Sequence, residues 1–148
     1  MQISRSMEYA VRSLVYLASS DAPLSLKQIA KGENIPAPYL AKIMRILVNG
    51  KIVNSTKGRN GGYFLLSPPQ KIALYDLYLL FEKKEKLLPC FENDSFCAAH
   101  KNCSQKVVWF KIEKAVMDAF KKVSLKEMVN KNKLNGKAKN ERSFNQVS

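Results

Sequence analysis

The stretch "APYLAKIMRILVNGKIVNSTKGRNGGYFLLS", Ala37–Ser67, changes its hydrophobic period halfway along. In its first half Leu40, Ile43, Met44 and Leu47 recur at three- and four-residue steps, which predicts a helix with one buried face. Tyr39, Lys42 and Arg45 are left to point elsewhere. Pro38 suits the first helical position, where no amide donor is needed, and Gly50 suits the C-terminal stop. In the second half, "KIVNST" and "GYFLLS" read as two short strands joined by "KGRNGG". Gly58, Gly61 and Gly62 permit positive φ there and let another backbone come close.

Working outward toward the N-terminus, Met7, Ala10, Val11, Leu14, Val15 and Ala18 predict a helix over residues 3–19. Ser25 and Gln28 stand in capping-box spacing, so a short second helix begins after Ser25, and "NIPAP" turns the chain into the third. Three helices and a hairpin make a winged helix-turn-helix, assigned to residues 1–80. The fold class is therefore mainly α with a small β-hairpin.

Toward the C-terminus, "SPPQ" punctuates and "IALYDLYLLFEK" predicts a fourth helix packed back on the first. Residues 81–103 form a loop holding all three cysteines, Cys90, Cys97 and Cys103, together with His100, the only histidine. Then "SQKVVWFKIEKAVMDAFKKV" is the longest periodic segment. Val108, Ile112, Ala115, Val116, Ala119 and Phe120 line one side of it, with Lys111, Lys114, Lys121 and Lys122 on the other. A small head offers little surface to cover that stripe, so antiparallel pairing in a homodimer is expected over residues 104–129. Ser124 and Glu127 repeat the capping-box spacing. Residues 130–148 are polar and basic, and disorder is expected.

The chain has 148 residues, one domain's worth, with 25 Lys and Arg against 12 Asp and Glu, a formal charge of +13. The excess lies in residues 1–70 and 104–148, while 71–103 are balanced. Such a charge favours a polyanion, and the basic wing tip favours double-stranded DNA. In this fold the second helix of the helix-turn-helix reads base edges, which selects Tyr39 and Lys42, with Arg45 and Lys27 on phosphates and Pro38 at the same DNA surface. Arg59 at the wing tip, beside Lys57 and Asn60, suits a narrow minor groove. Two copies would read an inverted-repeat operator. No apolar run approaches the roughly 20 residues of a membrane span, and the first helix is amphipathic, unlike a cleaved signal, so a cytoplasmic chain without membrane association is expected. No nucleophile–base pair, phosphate-binding glycine loop or acidic dyad suggests an enzyme.

Three cysteines are an odd number and make a fixed disulfide framework improbable in a reducing compartment. Thiolates suit iron-sulfur clusters, zinc or copper(I), and the spacing matches neither close-pair zinc motifs nor the tight ferredoxin run. An iron-sulfur cluster, zinc on Cys90, Cys97, His100 and Cys103, thiol redox switching, and a structural or incidental grouping all stay open on spacing alone, and an iron-sulfur redox or carrier protein is the alternative of a different class.

"YAVRSLVYLA", "YLAKIMRILVNGKIV", "KGRNGGYFLL" and the three cysteines ahead of a long helix, in this order, resemble the winged-helix iron-sulfur transcription regulators. That family includes the iron-sulfur cluster regulator and the nitric-oxide-sensitive repressor of bacteria. The resemblance spans residues 1 to about 129. It implies a homodimer with crossed long helices and a [4Fe-4S] or [2Fe-2S] cluster on Cys90, Cys97 and Cys103. The cluster regulator's histidine ligand, three residues after the last cysteine, is replaced here by Lys106, and His100 is out of that register. In the nitric-oxide-sensitive branch a first-helix carboxylate of the partner subunit can be the ligand, and Glu8 matches it. Lys42 and "GRNGG" lean the same way, and Ala41 replaces a glutamate with which the cluster regulator discriminates operators. The resemblance thus implies a repressor sensing nitric oxide, redox state or iron.

Overall fold

A computed structural model describes residues 3–82 and 102–129. Helix α1 (Arg5–Ala18) starts at Ser4, whose hydroxyl accepts the Met7 amide, and buries Met7, Ala10, Leu14, Val15 and Leu17. Helix α2 (Leu26–Glu33) has the expected capping box: Ser25 Oγ accepts the Gln28 amide, and Gln28 Oε1 accepts the Ser25 amide at 2.8 Å. Asn34, in the left-handed conformation at φ 52°, ends it. Helix α3 (Ala37–Asn49) buries Leu40, Ile43, Met44 and Leu47 as the period required. Its start differs from expectation by one residue. Pro36 is the N-cap, Ala37 the first helical residue and Pro38 the second, because Pro36 already supplies the carbonyl that accepts the Leu40 amide.

Strands β1 (Val53–Thr56) and β2 (Gly62–Leu65) pair antiparallel, with Val53 opposite Leu65 and Thr56 opposite Gly62. The left-handed residue after α3 is Lys51, φ 56°, and not Gly50, whose φ is −76°. Gly50 is needed for space instead: a Cβ there would lie 2.6 Å from Leu80 Cδ1. At the wing tip only Gly58, φ 108°, uses a strongly positive angle, while Gly61 packs against the Thr56 carbonyl. Helix α4 (Leu74–Phe81) follows a turn of 3-10 helix (Pro69–Lys71) and buries Leu77 and Tyr78 against the head, in contact with α1.

Helix α5 (Lys106–Lys122) divides the stripe seen in its sequence. Phe120 meets Tyr78 at 5.2 Å between ring centroids and, with Met117, packs on the head's core. Val107, Val108, Phe110 and Ile112 stay exposed, at 60, 56, 60 and 42 %. The C-terminal half thus packs on its own head, while these four side chains of the N-terminal half are exposed. Beyond it the Leu125 amide donates to the Ile72 carbonyl, and the Leu74 amide donates to the Val123 carbonyl. Glu127 Oε1 accepts the Ser124 amide, one half of the expected box, and Leu125 and Val129 enter the core. No helix among the described residues is long and apolar enough to cross a membrane. Residues 130–148, read above as a disordered tail, and most of the cysteine loop lie outside the described residues.

Candidate functional site

Tyr39, Lys42 and Arg45 follow one another at three-residue steps, opposite the buried side of α3, and all three are exposed. Lys27 on α2 is exposed as well, and so are Pro38, Lys57, Arg59 and Asn60. The wing is not a free flap. The Leu24 amide donates to the Tyr63 carbonyl at 3.0 Å and the Tyr63 amide returns a bond to the Leu24 carbonyl at 2.8 Å, so the hairpin is tied to the residues just before α2. Gly62 makes that approach possible, since a Cβ would sit 2.5 Å from the Leu24 carbonyl carbon. Helix α3 and the wing are therefore held in one rigid frame, with cations along both.

The first turns of α1 contribute residues that the sequence did not single out. The hydroxyls of Tyr39 and Ser6 are hydrogen-bonded at 2.8 Å, and the Tyr39 ring meets the Tyr9 ring edge-on at 5.6 Å. The Arg12 guanidinium lies over the Tyr9 ring at 5.4 Å. The nearby Tyr9 side chain pushes the Arg5 guanidinium above its ordinary value. Arg5, Tyr9 and Arg12 recur at four and three residues, a polar and aromatic stripe opposite Met7, Ala10 and Leu14. That periodicity was the available signal.

Glu8, the expected carboxylate ligand, is exposed and sits 3.8 Å from Arg12 Nη1. Arg12 Nε donates to Glu33 Oε2 at 3.1 Å, and Arg12 Nη2 donates to the Glu33 carbonyl at the end of α2. Glu8 is thus one weak partner of an arginine held more firmly elsewhere, and its carboxylate is open to solvent. Cys103 is half-buried with a free thiol, and its carbonyl accepts the Lys106 amide where α5 begins. Cys90, Cys97 and His100 lie outside the described residues, and among the described residues no three His, Cys, Asp or Glu side chains converge.

Comparison with known proteins agrees with this architecture. The regulator NsrR of Oceanobacillus iheyensis is 31% identical over 124 residues, 82% of each chain. The crystal structure of CymR, the global cysteine regulator of Bacillus subtilis, superposes with a TM-score of 0.72 at 26% identity, over 88% of this chain and 97% of that one. The structure of IscR from T. potens shares the fold, with a TM-score of 0.67 at 24% identity over 98% of this chain and 94% of that one. Residues 3–131 match the profile of iron-dependent transcriptional regulators, and the chain belongs to that family, Rrf2.

Proposed function

We propose that this chain is a homodimeric DNA-binding regulator, acting as a repressor at an inverted-repeat operator, whose iron-sulfur cluster sets operator affinity in response to nitric oxide, redox state or iron. The observation that carries the DNA-binding part is the joint exposure of Tyr39, Lys42 and Arg45 on α3 with Lys57, Arg59 and Asn60 on a wing fixed to the same frame. Lys42 is placed to donate to base edges, Arg45 and Lys27 to phosphates, and Arg59 to a minor groove narrow enough to concentrate negative potential. The exposed apolar start of α5 supports a dimer: Val107, Val108 and Ile112 present apolar surface of the kind that an antiparallel partner helix covers.

The donor set fits a cluster. Three thiolates, from Cys90, Cys97 and Cys103, are soft ligands for iron, and the open carboxylate of Glu8 from the partner subunit can complete a [4Fe-4S] or [2Fe-2S] group. Such a group supplies one-electron chemistry and iron reactive toward nitric oxide and oxygen. The chain's own part is mechanical. Arg12, paired weakly with Glu8 and firmly with Glu33 at the end of α2, is the link between Glu8 and the helix-turn-helix among the described residues. Cys103 stands three residues before α5, so a change there bears on the proposed dimer helix.

Similarity to CymR, named as a cysteine regulator, favours a second reading in which regulation is cluster-free and operates through thiol redox chemistry or a small ligand. Anaerobic purification with iron and sulfide counts separates the two. The cluster reading expects coloured protein that loses colour and specific DNA affinity on nitric oxide treatment. Colourless protein after reconstitution with iron and sulfide removes the cluster, and absence of any duplex bound above bulk DNA removes the DNA-binding reading.

A further inference from the structure

Between the first turns of α1 and α3 lies a recess of about 400 Å³, lined by Arg5, Tyr9, Pro36, Pro38, Tyr39 and Lys42. Its floor is apolar, two aromatic rings and two prolines, and its two charged lining residues are both cations. It opens on the face of α3 that carries the exposed Tyr39 and Lys42. The floor is preorganised. Tyr39 is held by its hydroxyl bond to Ser6 at 2.8 Å and by the edge of Tyr9 at 5.6 Å, and Tyr9 has Arg12 on its face. A deoxyribose is flat and apolar on one side and joined directly to a phosphate, so this pairing of apolar floor and cationic rim matches a sugar–phosphate unit better than a base edge.

We propose that Arg5 grips one phosphate of the DNA backbone at this recess, with the adjoining deoxyribose packed on Tyr9, Pro36, Pro38 and Tyr39, while Lys42 on the α3 side of the rim stays on the base edges. Helix α1 then docks on the duplex backbone directly. Tyr39 acts as a wall that couples α1 to α3, and its hydroxyl is already engaged by Ser6. Arg5 is a positioning contact, without sequence preference of its own. Its guanidinium stays charged at any working pH. The inference rests on the DNA-binding reading above and adds a contact surface from a helix outside the helix-turn-helix.

The test titrates the full-length dimer against its operator duplex and against a scrambled duplex at several salt concentrations. For Arg5→Ala, both duplexes are expected to bind about tenfold more weakly, with the salt slope reduced by about one per subunit. Arg5→Lys should restore the slope. Wild-type affinity and slope in Arg5→Ala on both duplexes would overturn the inference, and so would a loss confined to the operator, because a backbone contact cannot discriminate sequence. If the wild-type protein binds no duplex, the DNA-binding reading falls first and this one with it. Arg5 is exposed, so an unchanged melting transition is expected to accompany the loss of binding.

Discussion

The head and the first half of α5 are both rich in apolar side chains and treat them in opposite ways. In the head, Leu14, Ile29, Leu40, Leu47 and Leu77 are wholly inaccessible, each covered by side chains from another helix. In α5, Val107, Val108, Phe110 and Ile112 face outward, and the one residue of the helix that is buried is Glu113. Burial in the head is completed within one chain, because its elements converge on a single centre. Among the described residues the start of α5 keeps its apolar side chains exposed, which suits the proposed dimer contact. The head therefore has the properties of an independent core and the arm those of half an interface.

This contrast can be broken or sharpened by substitution. Leu47→Ala removes a fully buried side chain and should destabilise the head by about 3 kcal/mol in denaturant unfolding. Phe120→Ala tests whether the end of α5 truly belongs to the head. It should cost about 2 kcal/mol in the same transition, and a value near zero would move that half of the helix to the arm. Ser25→Ala, which deletes the cap of α2, should cost about 1 kcal/mol. Val108→Asp combined with Ile112→Asp, four residues apart on the exposed half, should shift head stability by no more than about 0.5 kcal/mol at concentrations where the chain is monomeric. Sedimentation should nevertheless show that the double variant no longer self-associates, whereas retained dimers would place the interface elsewhere. The smallest effect is expected for Glu8→Gln. Its exposed pair with Arg12 contributes only about 0.3 kcal/mol, so a loss of cluster absorbance with unchanged melting would single out ligation as its role.

The elements of the head were legible because their signals are short-ranged. The box between Ser25 and Gln28 spans three residues, the buried face of α3 repeats every three or four, and the change to short strands follows Gly50 at once. The same locality explains the misses. Nothing near Pro38 in the sequence says that Pro36 takes the capping role, and although Gly50 is the C-cap expected of it, nothing local says that Lys51 is the residue that turns left-handed after it. The candidate DNA surface was read through α3 and the wing, where the basic residues cluster. Arg5, Ser6 and Tyr9 escaped because their relevance depends on α1 lying beside the start of α3, thirty residues away.

The amino-acid sequence by itself determined three helices and a hairpin, the cationic outer face of α3, the basic wing tip and a second apolar helix after the cysteines, since each follows from spacing within a few residues. Tertiary structure alone decided what those pieces meet. It paired Leu24 with Tyr63 through Gly62, placed Gly32 against the Tyr16 ring, divided Arg12 between Glu8 and Glu33, and split one apolar stripe between Tyr78 and solvent. Hydrophobic periodicity states which side of an element must be covered. Which surface covers it depends on how distant elements close around a shared core, and that information is spread over the whole chain.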